Sequence, residues 1–284
     1  MFRREYHCFV AGLPDLLFDE GKITQTLETF RQALKEELHP ADYRLVHLLF
    51  LPYDHQNLIR FLKAGLDDFD VLGNYAPEDF VAEVQNLDAI IPEPSRIEPY
   101  LVNLIRRWYD ENTDRSQLDL ERMLLEGYYA MMVEAPNDFL QDWSTFDLTL
   151  RNIVTAVNCR RFGREIAHEL IGDNPINSQL LRNPARDFGL ASELDQIEKI
   201  LQICELPDLL EREKKLDLLR WEFIDEAVFF HYFDIEKILG YLLRLMIALR
   251  WFRLQRPAGE NLFRELLEKM EKSYQLPEEF HRKK

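Results

Sequence analysis

The segment from Asp234 to Arg256 restricts the fold more than any other part of this sequence, because it reads as one long amphipathic helix. Its apolar residues recur every three or four positions, which is the spacing of a single buried helix face. These residues are Ile235, Ile238, Leu239, Leu242, Leu245, Met246 and Leu249. The Asp234 carboxylate can cap the first turn, and Pro257 is expected to end the helix. Such a helix requires other elements that cover its apolar face.

The rest of the sequence also favours helices. Only 10 of the 284 residues are glycine, which argues against Gly-rich phosphate loops and against many tight β-turns. Apart from residues 6–13, no run alternates apolar and polar residues with the period of two that is typical of a strand. Residues 6–13 are rich in β-formers and predict a short strand or extended arm. The expected fold class is therefore all-α, with a short N-terminal extended arm.

An aromatic residue followed by aspartate opens a helical run at three places. The three pairs are Tyr53-Asp54, Phe146-Asp147 and Phe233-Asp234. Their roughly equal spacing predicts a repeated helical unit. Within it we expect Asp54, Asp147 and Asp234 to be structural N-caps and not catalytic carboxylates, because equivalent positions in separate units do not form one shared site.

Two loop-rich stretches separate these helical runs. Residues 92–99 hold three prolines, and residues 172–187 hold three asparagines and two prolines. We therefore expect a single helical chain with three similar lobes, at 1–95, 96–185 and 186–284. Proline is also expected to end helices within the lobes, at Pro52 in particular. Further predictions are a helix that Ser192 caps and a last amphipathic helix over Glu260–Tyr274.

Charge and composition narrow the class of protein. The formal net charge is −16, which argues against nucleic acid and anionic lipid as direct partners, since both attract basic surfaces. Three cysteines without a CxxC motif are typical of reduced thiols in a cytosolic protein. The N-terminus lacks the long apolar region of a signal peptide, and no apolar run is long enough to cross a membrane.

Candidate catalytic residues are few, because the sequence has no GxSxG, HExxH, Walker or Rossmann motif. The spacing Glu-x-x-His, which di-iron helix bundles use to place two ligands on one helix face, occurs at Glu165–His168. It also occurs at Glu36–His39 and Glu278–His281. Such pairs arise easily in a Glu-rich helical protein, so a metal site at Glu165 and His168 is the weaker alternative. We expect no cofactor.

A basic cluster and an aromatic segment are candidate binding surfaces. Arg151, Arg160, Arg161 and Arg164 could dock an acidic partner or an anion, although a solvated helix face paired with nearby acids is the more common arrangement. Residues 221–233 contain six aromatic residues, which indicate either core or, if several point outward, a protein-binding surface. The six are Trp221, Phe223, Phe229, Phe230, Tyr232 and Phe233.

Two segments resemble the C subunit of V-type and archaeal-type rotary ATPases, which is also called subunit d. They are YDHQNLIRFLKA at 53–64 and WEFIDEAVFFHYFDIEKILGYLLRLMIALRW at 221–251. The first fits the lobe pattern of that family at Asp54, Asn57, Leu58, Leu62, Lys63 and Ala64. The second copy has Arg151-Asn152-Ile153 in a shifted position, and the third keeps only the aromatic–Asp pair and the apolar pattern. The N-terminal YHCFVAGLPDL also looks like that of a bacterial family encoded among V-type ATPase genes.

The resemblance implies a non-catalytic subunit built as a pseudo-threefold funnel with an open central cavity. Such a subunit links the membrane proteolipid ring to the central axle and transmits torque without hydrolysing ATP. The implied partners are these rotor proteins, and the implied location is the cytoplasm, peripheral to the inner membrane. The isolated protein is expected to be monomeric. A helical metalloenzyme and a helical scaffold for other proteins are the alternative hypotheses.

Overall fold

A computed structural model describes residues 4–18, 25–65, 69–90, 93–110 and 116–254. Every regular element within these ranges is helical, which confirms the all-α prediction. In chain order the helices are α1 (His7–Ala11), α2 (Leu27–Glu37), α3 (Pro40–Ala64), α4 (Pro77–Leu87), α5 (Pro99–Asp110), α6 (Gln117–Met132), α7 (Asp138–Phe162), a 3-10 helix (Ile166–His168), α8 (Pro175–Arg182), α9 (Ile197–Glu205), α10 (Leu209–Ala227) and α11 (Ile235–Leu254). The helix predicted at 260–274 lies outside the described residues.

The two helices predicted on either side of Pro52 form one continuous helix, α3, so the expected stop is wrong. Pro52 has no N–H and leaves the Leu48 carbonyl without its intrahelical partner. The helix continues because the residues on both sides of the proline are buried in the core, among them Phe50 and Leu58. Burial of these side chains outweighs the missing hydrogen bond.

Polar side chains at the helix starts explain several boundaries. Asn137 accepts a hydrogen bond from the Leu140 N–H at 3.1 Å and begins α7, and Asp208 accepts from Glu211 at the start of α10. The predicted cap at Ser192 is wrong, because α9 begins only at Ile197. The predicted loop at 172–187 contains α8.

The N-terminal segment forms a short helix where a strand or extended arm was expected. Its backbone groups bond locally, with the Val10 N–H donating to the Tyr6 carbonyl at 2.9 Å and the Gly12 N–H to the Cys8 carbonyl at 3.2 Å. No strand is present among the described residues to offer it an edge, so local helical bonds satisfy these groups instead. The β-forming composition of residues 6–13 was therefore misleading.

The buried side chains form two hydrophobic clusters. The larger includes side chains from α2 to α7, α10 and α11, and the smaller lies between the C-terminal half of α7 and helices α8, α9 and α10. The predicted boundary near residue 95 lies within the larger cluster, since Phe80 and Leu101 both belong to it. The division into three lobes and the funnel arrangement stay predictions.

The organising helix predicted from the sequence is α11, and its buried face is confirmed. Ile238, Leu239, Leu242 and Leu245 have no exposed surface, and the helix packs against α3 and α10. Within the described ranges no helix combines the length and apolarity required to span a membrane. The start of α11 adjoins the candidate site described next.

Candidate protein-binding site

The turn between α10 and α11, residues 228–234, carries several aromatic side chains; we call it the aromatic turn. At its base the Val228 N–H donates to the Ile224 carbonyl at 3.0 Å. The first half of α11 passes close by, because Gly240 has no side chain. A Cβ at that position would lie 2.6 Å from Val228 Cγ1. The aromatic turn is therefore fixed at its base by buried contacts.

Asp234 ends the aromatic turn and starts α11. Its Oδ1 accepts a hydrogen bond from the Lys237 N–H at 3.2 Å, so the predicted N-cap is confirmed at this position. Its Oδ2 lies 2.8 Å from His231 Nδ1, and Glu236 accepts a hydrogen bond from the Asn137 side-chain amide at 3.0 Å. These bonds connect the aromatic turn to the starts of both α11 and α7.

His231, Asp234 and Glu236 could together hold a metal ion. Each places one donor atom within 4.8 Å of the others, and no other group of three such residues with this spacing occurs in the described part of the chain. The Asp234 cap and the bond from Asn137 to Glu236 already account for the positions of both carboxylates. We assign the three residues to the network that holds the aromatic turn.

The N-terminal segment supports the turn from the other side. The Tyr6 N–H donates to the Phe233 carbonyl at 2.6 Å, and the His7 ring lies 4.3 Å from the Phe233 ring. The Tyr6 hydroxyl donates to Asp42 at 2.5 Å. Burial and this bond raise the pKa of Tyr6 to about 12, so the hydroxyl stays a donor at neutral pH. The backbone of the turn is thus held by two separate parts of the chain.

The aromatic side chains of this turn face solvent. Phe229 is 67% exposed, Phe230 is 80% exposed and Tyr232 is 64% exposed, while Phe233 is 37% exposed. The rings of Phe229 and Phe230 pack edge to face with centroids 4.9 Å apart. An exposed group of large apolar side chains of this kind is typical of a protein-interaction site.

The sequence allowed two interpretations of the aromatic segment at 221–233, either core or binding surface. The structure shows that one part is buried and another part is exposed. Trp221 is buried, and Phe223 stacks on Phe146 with centroids 4.2 Å apart. Phe229, Phe230 and Tyr232, which follow α10, point outward instead. Their sequence pattern gave no sign of the division, which follows from where α10 ends.

Asp54 is not a helix cap, because it lies inside α3. Its buried carboxylate instead accepts hydrogen bonds from the Asn74 N–H and side-chain amide, both at 2.6 Å, and from the Tyr75 N–H at 3.1 Å. Burial raises the pKa of Asp54 to about 6, although these bonds oppose the shift. One turn along α3, Asn57 bonds both backbone groups of Asp70. Asp54 and Asn57, the two polar uncharged or acidic residues of the motif that carries the resemblance, therefore bind the loop after α3.

Asp147 lies inside α7 and does not cap it either. Its carboxylate accepts from the Tyr129 hydroxyl at 2.6 Å and from Arg220 Nε at 2.7 Å. Burial opposes ionisation, but the charge of Arg220 and the Tyr129 bond outweigh it and lower the pKa of Asp147. The three aspartates thus have three different surroundings, and the prediction that each caps an equivalent helix is wrong.

Glu165 and His168 do not share an α-helical face, since they flank and end a 3-10 helix. Their side chains are 73% and 77% exposed, and the closest ring nitrogen and carboxylate oxygen are 3.4 Å apart. No third ligand joins them among the residues that the structure describes. His39 of another such pair caps α3 through its ring nitrogen. The pair at 278–281 lies outside the described residues.

The predicted arginine cluster is largely occupied by neighbouring groups. Arg160 donates to the carbonyls of Ala185 and Asn183, and Arg161 donates to the Cys204 carbonyl. Arg164 pairs with Glu169, and Arg151 is exposed on α7. These bonds hold the segments of the smaller hydrophobic cluster together. Because its donors are occupied in this way, the arginine cluster is a weaker docking surface than the aromatic turn.

Comparison with known proteins identifies one family that this chain matches. One family model matches residues 3–274, which is most of the chain. No curated protein matches the sequence, and no solved structure matches it. The chain belongs to the matching family, which is described as "Protein of unknown function (DUF2764)".

Proposed function

We propose that this protein is a non-catalytic adaptor that binds other proteins through the aromatic turn. The observation that carries this proposal is the exposure of Phe229, Phe230 and Tyr232 on a turn whose base is buried. Aromatic residues contribute much of the energy of protein interfaces, because they remove large apolar areas from water. A turn already held in place loses little conformational entropy when a partner covers it.

The partners that we propose are the rotor subunits of a V-type ATPase, namely the proteolipid ring and the central axle. The support for this choice is the resemblance carried by residues 53–64 and 221–251. The aromatic turn lies within the second of these segments, and the loop-binding residues Asp54 and Asn57 lie within the first. In this role the protein transmits torque, needs no cofactor, and works in the cytoplasm against the membrane-bound ring.

Affinity purification from the native cell tests this function. We expect tagged wild-type protein to recover axle or ring subunits of a V-type ATPase. The triple variant Phe229→Ser, Phe230→Ser and Tyr232→Ser is expected to lose them while keeping its circular dichroism. Phe162→Ser is the matched control, because Phe162 is a single aromatic side chain that is 70% exposed at the end of α7.

Two results count against the proposal. If the triple variant recovers the same subunits, the aromatic turn is not the docking surface. Recovery of a complex without any rotor subunit favours the scaffold hypothesis instead and removes the rotor assignment.

A further inference from the structure

A large cavity lies beside the start of α11. Its volume is about 830 Å³, and it is bounded by the first turns of α3, the segments around Tyr75 and Arg96, residues 136–137 and Ile235. This volume is within the range of small-molecule sites, which is about 300–1,000 Å³. The cavity is separate from the exposed rings of the aromatic turn, none of which lines it.

Arginine dominates the charge of this cavity. Arg4, Arg44 and Arg96 line it together with only two acidic residues, Asp42 and Glu98. The chain as a whole has the opposite balance, with 51 acidic and 35 basic residues. A cavity in which cations outnumber anions is therefore a local exception in an acidic protein.

Two of the three arginines keep their donors available. Arg4 donates to Asp42 at 3.0 Å, which neutralises both groups. Arg44 and Arg96 are exposed, and neither forms a hydrogen bond or an ion pair with a residue in the described ranges. Their guanidinium groups can each present a planar pair of N–H donors to an incoming oxyanion.

The lining of the cavity also includes a neutral histidine and apolar side chains. His47 Nε2 lies 3.1 Å from the Tyr75 hydroxyl, and burial, together with the charge of Arg31, lowers the pKa of His47 to about 4. His47 is therefore uncharged at neutral pH. Burial raises the pKa of Glu98, the acidic lining residue that is not paired with Arg4. Leu45, Leu48, Pro136 and Ile235 supply apolar surface.

We infer that this cavity binds a small organic anion with at least two carboxylate or phosphate groups, which Arg44 and Arg96 hold. Two guanidinium groups favour a ligand with two anionic groups, and the apolar lining residues favour a carbon skeleton. The sequence could not reveal this site, because its arginines come from three distant parts of the chain.

Titration of the purified protein with fructose 1,6-bisphosphate and, separately, with citrate tests the inference. Both titrations use calorimetry at constant ionic strength, and the two probes distinguish phosphate from carboxylate chemistry. We expect at least one probe to bind wild type with a Kd below about 1 mM. Arg44→Gln and Arg96→Gln are each expected to weaken binding about tenfold, which corresponds to the loss of one charge-assisted contact.

Arg182→Gln is the matched control, because Arg182 is an exposed arginine that does not line the cavity. We expect it to bind the probe within about twofold of wild type, since a distant exposed charge contributes little. The inference is overturned if neither probe binds more tightly than chloride, or if Arg182→Gln weakens binding as much as the two cavity variants. Neither outcome bears on the proposed adaptor role, whose test measures protein partners.

Discussion

Tyr53-Asp54 and Phe233-Asp234 have the same local pattern but opposite places in the fold. Asp54 lies in the middle of α3, whereas Asp234 starts α11. The Asp54 carboxylate binds the loop at Asn74 and Tyr75, while Asp234 binds the first turn of its own helix. The same dipeptide therefore serves as a loop anchor in one region and as a cap in the other.

The difference comes from the residues that precede each pair. Leu49, Phe50 and Leu51 precede Asp54 and are buried, so α3 begins well before the aspartate and continues through it. Before Asp234 the chain exposes Phe230 and Tyr232, and the helix begins only at the cap. A local signal for a helix start thus depends on whether the preceding side chains have a core to enter.

Removal of Asp54 is expected to have the largest effect on stability. Asp54→Ala leaves two backbone N–H groups and the Asn74 amide without their acceptor in a buried setting. We expect the free energy of unfolding at pH 7 to fall by about 3 kcal/mol. Urea denaturation measures this, and a loss below that of Asp234→Ala contradicts the assigned roles.

The pH dependence of stability is the second expected difference. The folded pKa of Asp54, about 6, lies above its ordinary value of 3.8, so the folded state binds this proton more tightly than the unfolded state. Its contribution is complete below about pH 4 and is lost as pH rises through 6, by about 3 kcal/mol. Buried His47, whose pKa is lowered to about 4, changes wild-type stability in the opposite direction over this range. Urea denaturation from pH 4 to 7 is therefore read as the difference between wild type and Asp54→Asn, and we expect wild type to lose this stability relative to the variant as pH rises.

Loss of the Asp234 cap is expected to cost less. Asp234→Ala removes one side-chain acceptor at a helix start, so the free energy of unfolding falls by about 1 kcal/mol. Asp234→Asn is the matched control, since asparagine also caps helices, and it is expected to recover most of this loss. Equal losses in both variants indicate that the charge near His231 matters more than the cap.

Substitution of the exposed aromatic residues is expected to change stability least. Phe230→Ser removes a ring that is already 80% in solvent, so the free energy of unfolding changes by less than about 0.5 kcal/mol. Thermal denaturation of Phe230→Ser and of the control Phe162→Ser is expected to give the same midpoint as wild type. A large loss of stability shows that the aromatic turn is needed for folding and not only for binding.

Periodicity and capping chemistry predicted much of the fold, but not the candidate sites. The buried face of α11 and the Asp234 cap follow from local spacing. The roles of Asp54 and Asp147 depend on partners far along the chain, and the continuation of α3 through Pro52 depends on the core around it. Nor could sequence alone bring Arg4, Arg44 and Arg96 to one cavity.

A photo-crosslinking phenylalanine analogue tests the central claim most directly. It replaces Phe230 in one sample and Phe162 in another, and both are irradiated in the native cell. The account predicts that the analogue at position 230 forms covalent products with a V-type ATPase rotor subunit and that the analogue at position 162 does not. Equal products at both positions, or none at position 230 in a complex that still co-purifies, would contradict it.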